Sequence, residues 1–239
     1  MSIYYFIIIG GIVGYLIGSI PFALIIGKVF YKVDVRKHGS GNLGSTNVGR
    51  TLGPVAGVSV MILDILKAGL PSLIMYKIAE ASLANNPEYS HQLVYLSTIY
   101  CVTGLLACLG HCHPCFANFK GGKAVASICG FLLFMNYKLF IVAIITYVLV
   151  FIIGKIISLA SISAAMSTII VSFIPWFKDC YLFTHGELNN ELSVFIYYIT
   201  LVMLALLLIH RHIPNIERLL KGQEKKFKFE HKNRKNNQN

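Results

Sequence analysis

Seven apolar runs, at 3–27, 53–76, 92–109, 122–135, 139–153, 156–176 and 193–209, alternate with short polar connections along the chain. A bilayer core of ~30 Å takes about 20 helical residues, so the longer runs predict transmembrane helices. The fourth and fifth runs are short, which predicts a tilted, half or re-entrant helix in the middle of the chain, with five or six full crossings as the alternative to seven. The first run has neither a basic start nor a small-residue cleavage site, and the chain beyond it is itself apolar. It therefore reads as a retained helix rather than a secretory signal. The pattern predicts an all-α integral membrane protein of about seven transmembrane helices.

Composition agrees with the pattern: 56% of the 239 residues are apolar, 13% are charged and the mean hydropathy is +0.67. A soluble domain of this length needs more charge to cover its surface. Charge placement sets the expected orientation. Segment 28–50 carries five Lys/Arg against one Asp, segment 178–191 carries one Lys against three acids, and 211–239 carries nine Lys/Arg against three Glu. Basic connections lie on the cytoplasmic side, which puts the tail inside and, after seven crossings, the N-terminus outside. The net charge of +11 thus predicts contact with anionic membrane lipid rather than nucleic acid. Residues 1–224 read as one membrane domain and 225–239 as a basic, disordered cytoplasmic tail. Nothing in the chain specifies an oligomeric state. The six cysteines, most of them in or beside apolar runs, read as buried thiols rather than a disulfide framework.

The outward connections contain ordinary turn residues; the inward ones carry the candidate chemistry. The first is Gly39-Ser-Gly-Asn-Leu-Gly-Ser-Thr-Asn-Val-Gly-Arg50. Closely spaced glycines let backbone N–H groups converge on an anion, with Ser40, Asn42, Thr46 and Asn47 adding neutral donors and Arg50 a bidentate one. It is not a Walker A loop, since no Gly-Lys-Ser/Thr closes it. The second is Gly110-His-Cys-His-Pro-Cys-Phe-Ala-Asn-Phe-Lys-Gly-Gly-Lys123, in which Lys120 and Lys123 flank Gly121 and Gly122. With Lys123 at the start of the fourth run, a helix N-terminus adds to the positive field. The spacing of His111, Cys112, His113 and Cys115 does not match the two-plus-two pattern of structural zinc, so no metal site is expected. The third segment comes after the last run, where His210 and Arg211 are candidates with helix capping or headgroup contact as the plain alternative, and His212 and Asn215 stand three apart around Pro214.

Within the apolar runs, Asp64 and Lys67 are i,i+3 neighbours, either an internal ion pair or substrate contacts. Ser158 and Ser161 open the sixth run, where hydrogen bonding between helices is the plain alternative to a site role.

Taken together these segments resemble the bacterial acyl-phosphate:glycerol-3-phosphate acyltransferase family (the PlsY type). Segment 39–50 looks like that family's Gly-Ser-Gly-Asn-x-Gly-(Ala/Ser)-Thr-Asn-x-x-Arg loop. Gly110-His111 with Phe116, Phe119 and Lys120-Gly-Gly-Lys123 resembles its second motif. Asn215-Ile-Glu-Arg-Leu-Leu-Lys-Gly-Gln-Glu224 resembles its third, whose histidine falls at His212, with His210 the alternative because Pro214 intervenes. Ala124 stands where the family usually has glycine.

The resemblance implies transfer of a fatty acyl group from acyl phosphate to the sn-1 hydroxyl of glycerol 3-phosphate, giving lysophosphatidate and phosphate at the inner face of a bacterial cytoplasmic membrane. It implies no cofactor. On this reading His212, Asn215 and Ser40 are catalytic. Ser40, Asn42, Thr46, Asn47, Arg50, Lys120, Gly121, Gly122, Lys123 and Ser158 bind substrate phosphate, and His111, Asp64, Lys67, Ser161 and Glu224 support them. No histidine here has Asp five residues later, so the His-x-x-x-x-Asp chemistry of soluble glycerophosphate acyltransferases is absent. The rival class is a transporter for a phosphorylated metabolite. Transporters more often place their sites at the midplane between repeats, whereas these motifs gather on one face.

Overall fold

The computed structural model describes residues 3–83, 92–177 and 191–227; residues 84–91 and 178–190, parts of the connections expected at 77–91 and 177–192, with Cys180, and 228–239 of the expected tail 225–239 lie outside them. The described residues form ten α-helices: α1 (Ile3–Gly18), α2 (Phe22–Phe30), α3 (Ser45–Leu52), α4 (Pro54–Leu83), α5 (Gln92–Cys112), α6 (Val125–Met135), α7 (Tyr137–Gly154), α8 (Ile157–Ser172), α9 (Glu191–Arg211) and α10 (Ile213–Leu220). Five stretches are long and apolar enough to cross a bilayer: Ile3–Phe30, Pro54–Leu83, Val94–Ala117, Tyr137–Gly154 and Glu191–Arg211. α6 and α8 are shorter. The short middle helices expected from hydropathy are therefore the fourth and sixth runs, because the fifth gains a turn from Tyr137 onward while the sixth ends at Ser172.

α1, α4 and α5 form the centre, with α6 laid against α4, α9 against α5, and the α7–α8 hairpin joined to α6 and α9. The close approach of α1 to α5 depends on missing side chains. A Cβ at Gly14 would collide with the Thr103 carbonyl and one at Gly18 with the Ala107 carbonyl. Gly10, Gly14 and Gly18 are spaced four apart, which stacks them on one helix face, as in other tightly packed membrane helix pairs. The outward surface is apolar, with Ile8 and Ile12 on α1 and Ile145, Val148, Leu149 and Ile152 on α7 all exposed. In water that surface would be costly; against lipid tails it costs nothing.

The first apolar run is not one unbroken helix. Pro21 cannot donate a backbone hydrogen bond, and the chain turns at Ser19–Pro21 before α2. At that break the Ile20 carbonyl accepts from the Phe22 N–H at 3.1 Å and from Lys67 Nζ at 3.0 Å. Lys67 also pairs with Asp64 at 2.9 Å, both side chains being about 3% exposed, and His111 Nδ1 lies 3.5 Å from the same Asp64 oxygen. This buried group links α4, the α1–α2 break and the C-terminal end of α5. A buried charge held this way is stable only because each partner is present.

Candidate active site

The first turns of α6, α8 and α10 and the last turns of α5, α7 and α9 meet at one end of the bundle. Around Glu224 they form a single hydrogen-bonded cluster. Glu224 Oε1 accepts from Ser158 Oγ at 2.8 Å and from Asn215 Nδ2 at 2.6 Å. Its other oxygen accepts from Arg218 Nε at 2.6 Å. Asn215 in turn accepts from Lys123 Nζ through Oδ1. The carboxylate on one side and the ammonium on the other fix which way the Asn215 amide points.

The electrostatics come from this packing. Burial would raise the Glu224 carboxyl, but hydrogen bonds from Asn215, Ser158 and Arg218 outweigh it and hold its pKa below the usual range. Burial pulls Lys123 down to about 8; Glu224 opposes the shift, while Arg218, Arg211 and Arg50 add to it. An ammonium among three guanidinium groups and one carboxylate leaves a net positive field suited to a phosphate.

His212 joins α9 to α10 and is 2% exposed. Its Nδ1 lies 2.8 Å from the Leu208 carbonyl oxygen. A carbonyl only accepts, so Nδ1 carries the proton and Nε2 is left as an acceptor. Burial chiefly, with Lys123 and Arg211 adding, lowers its pKa to about 4, so the ring is neutral at neutral pH. Pro214 does not disturb this geometry. It occupies the first turn of α10, where no backbone donor is needed. His210 is exposed, whereas His212 is buried and within electrostatic reach of Lys123 and Glu224.

The 39–50 segment differs from the continuous loop expected. Its second half is helical, α3 starting at Ser45, and a turn remains only over 39–44. Thr46 lies in that first helical turn. Asn47 is buried and occupied: its Oδ1 accepts from the Ser40 amide at 2.8 Å and from Ser40 Oγ at 3.2 Å, and its Nδ2 donates to the Val35 carbonyl at 3.0 Å. Asn47 thus shapes the turn instead of offering a free donor. Gly39 has a φ of 61°, and a Cβ there would strike Asn47 Oδ1. Asn42 Oδ1 is enclosed with no hydrogen-bond partner among the described residues. Arg50 is exposed, and its guanidinium carbon lies 5.7 Å from the Phe227 ring centroid.

The second loop also needs a correction. Gly121 and Gly122 do not present free amides to an anion, since their N–H groups donate to the Cys112 carbonyl at 3.2 Å and the His111 carbonyl at 3.0 Å. They are glycines because of crowding: a Cβ on Gly122 would overlap the His111 ring. Their own carbonyls accept from Arg211, at 3.0 Å for Gly122 and 3.1 Å for Gly121. Arg211, for which the sequence left capping or headgroup contact as the plain alternative, therefore clamps the loop that carries Lys123. Lys120 is exposed at the loop's edge, and Ser161 bonds back to the Ile157 carbonyl within α8. Ala124, at the position of the family's usual glycine, has a φ of 58°, the left-handed region that glycine adopts without penalty.

Arg218 has no role in the sequence reading, and Arg211 stands there without a partner; in the structure Arg218 bonds to Glu224 and Arg211 to the Gly121 and Gly122 carbonyls. Their signal was only their position, one at the end of the last apolar run and one between Asn215 and Glu224.

An all-helical apolar bundle with a cationic, hydrogen-bonded cluster at one end defines an integral membrane protein with a positively charged site at one face. Within that class the match is specific: the family model for glycerol-3-phosphate acyltransferase covers residues 8–222, and the chain belongs to this family. It is 41% identical over 217 residues to glycerol-3-phosphate acyltransferase 2 of Bacillus anthracis, spanning 90% of this chain and 96% of that protein. The glycerol-3-phosphate acyltransferase of Fusobacterium nucleatum is 40% identical over 215 residues, spanning 90% and 95%. Among solved structures, PlsY (YgiH), an integral membrane glycerol 3-phosphate acyltransferase, superposes in its glycerol 3-phosphate form with a TM-score of 0.72 at 32% identity, covering 95% of this chain and 96% of that one. Its lysophosphatidic acid form gives the same TM-score and identity, with 92% and 95% covered.

Proposed function

We propose that this membrane enzyme transfers a fatty acyl group from acyl phosphate to the sn-1 hydroxyl of glycerol 3-phosphate, releasing lysophosphatidate and inorganic phosphate. The observation that carries the reading is the Lys123–Asn215–Glu224–Ser158 cluster with Arg50, Arg211 and Arg218 around it. Both substrates bear phosphate, and this is where the chain concentrates positive charge. Next to it, an apolar cleft between α6, α7, α8 and α9 is lined by residues including Val125, Ile128, Ser161, Ala164, Leu204 and Leu208. Leu208 supplies the carbonyl that holds His212. An acyl chain in that cleft stays out of water while its activated carbonyl sits beside the cluster.

The chemistry needs little more than positioning and charge. The glycerol hydroxyl attacks the acyl carbonyl, and the bond to phosphate breaks with inorganic phosphate as leaving group. His212 Nε2 accepts from the second hydroxyl of glycerol 3-phosphate and so sets the direction of the attacking one, and Lys123 and Arg50 hold phosphate. A phosphate oxygen takes the proton, so no strong protein base is required. Ser40 bonds to Asn47 and contributes from the turn beside Arg50, with no acyl-enzyme formed. The basic side chains at this end, among them Lys37, Lys120 and Lys221, favour a bacterial cytoplasmic membrane with the site facing the cytoplasm.

The test uses purified protein, labelled glycerol 3-phosphate and palmitoyl phosphate, with a parallel uptake assay in sealed vesicles. Labelled lysophosphatidate is expected in detergent without any membrane barrier. Vesicle uptake of unmodified glycerol 3-phosphate with no acylated product would overturn the proposal in favour of a transporter. A stable acyl adduct on Ser40 or a cysteine would overturn the direct-transfer step.

A further inference from the structure

Past Glu224 the chain continues beyond the part matched by the family model, which ends at residue 222. Lys225 and Lys226 lead to Phe227, whose N–H donates to the Lys155 carbonyl at 2.7 Å. Lys155 ends α7 in a left-handed conformation, φ 54°. The Phe227 ring meets Phe151, one turn earlier on α7, edge-on at 5.8 Å between centroids and 66° between planes. Phe151 is itself stacked on Tyr147 at 6.1 Å and 13°. The segment from Glu224 to Phe227 is therefore pinned at both ends, by the site cluster at one and by the α7–α8 turn at the other.

Arg50 stands over this ring, 5.7 Å from its centroid. Among the described residues the Arg50 guanidinium makes no hydrogen bond or ion pair. This is an unusual way to hold a phosphate-binding arginine, and it has a chemical advantage. A carboxylate partner would consume the fork of N–H donors and offset the charge. A ring face attracts the cation through its quadrupole and leaves every N–H at the guanidinium edge open to a phosphate oxygen.

We propose that Phe227, carried by the strap 225–227, is a positioning residue that holds Arg50 over the site with its donors free. This rests on the reading of Arg50 as a phosphate ligand. The ring's place is fixed from α7, so the strap couples the α7–α8 hairpin to the α3 end of the phosphate site, two parts of the chain that the sequence separates widely.

The test uses the full-length protein in detergent and compares Phe227→Leu and Phe227→Trp with Arg50→Ala. For each, kcat and the KM values for glycerol 3-phosphate and palmitoyl phosphate are measured. Arg50→Ala identifies the substrate whose phosphate the guanidinium holds. Phe227→Leu keeps apolar bulk and the backbone bond to Lys155, so the fold is retained. It is expected to raise that same KM roughly 3- to 10-fold with kcat within about twofold. Phe227→Trp is expected to return KM to the wild-type value, and Phe227→Leu is expected to add nothing in the Arg50→Ala background. If Arg50→Ala raises a KM and Phe227→Leu raises none, the strap proposal falls while the phosphate reading stands. Equal loss in the Leu and Trp variants also overturns it, because packing rather than the ring face is then responsible. If Arg50→Ala changes neither KM, the phosphate reading itself falls.

Discussion

Replacing Glu224 by alanine removes the carboxylate on which Ser158, Asn215 and Arg218 converge, at 2.8, 2.6 and 2.6 Å. Hydrogen bonds to a charged group are worth about 1.5–3 kcal/mol each when shielded from water. The Arg218 contact must be discounted, since that side chain is 45% exposed and solvent screens it. Two shielded contacts remain, and both set geometry at the site: one fixes the Asn215 amide that receives Lys123, the other fixes Ser158. If part of that energy is spent on organisation for the reaction, the expected loss of transition-state stabilisation is ~2–3 kcal/mol, or roughly 30- to 160-fold in kcat/KM. The assay is initial-rate formation of labelled lysophosphatidate, with thermal unfolding in detergent run alongside to show that the bundle is intact. Glu224→Gln keeps one acceptor for Asn215 and Ser158 but presents an N–H towards Arg218, so its loss is expected to be smaller, on the order of tenfold. A Glu224→Ala enzyme that folds normally and keeps kcat/KM within twofold would refute the claim that Glu224 organises the site.

Three further outcomes are expected. Asp64→Asn leaves Lys67 charged and unpaired inside the bundle, which should destabilise the protein by about 3–5 kcal/mol, seen as a lower thermal midpoint, with much of the loss recovered in Asp64→Asn/Lys67→Met; an unchanged midpoint in the single variant contradicts this. Arg211→Gln loses the bonds to the Gly121 and Gly122 carbonyls, and the loosened loop should lower kcat/KM on the order of tenfold with little change in thermal midpoint. Protonated Lys123 is the phosphate-binding form and its pKa is lowered to about 8. kcat/KM should therefore fall as pH rises through that value, and Lys123→Arg, which stays charged, should move the fall to higher pH. A pH profile identical in the two enzymes refutes that assignment.

Hydropathy made the helical class legible because lipid-facing surfaces such as the outer face of α7 must be apolar whatever they pack against. It did not reveal the break at Pro21, since Ser19 and Pro21 leave the run apolar on average, nor the helical half of segment 39–50, where Gly44, Ser45 and Thr46 start α3 inside what reads as a glycine-rich loop. The site motifs were legible as residue types, but their roles depended on partners far away in sequence. Arg211 bonds to Gly122, 89 residues earlier, and Lys123 to Asn215, 92 residues later. No local pattern distinguishes an arginine that clamps a loop from one that meets lipid. The same holds for Gly121 and Gly122, whose spacing suggests a phosphate cradle while their amides are bonded to the end of α5. Ala124 is the opposite case: its positive φ accounts for the family's glycine at this position, while the alanine here carries a steric cost that glycine avoids.

The central claim, acyl transfer from acyl phosphate at a phosphate-binding site, is tested most directly by donor choice. Purified protein with labelled glycerol 3-phosphate is given palmitoyl phosphate, palmitoyl-CoA or palmitoyl-acyl carrier protein in separate reactions, and lysophosphatidate and inorganic phosphate are both measured. The account predicts lysophosphatidate from palmitoyl phosphate alone, with one inorganic phosphate released per product. Equal or faster product formation from either thioester, or product from palmitoyl phosphate without stoichiometric phosphate, would contradict it.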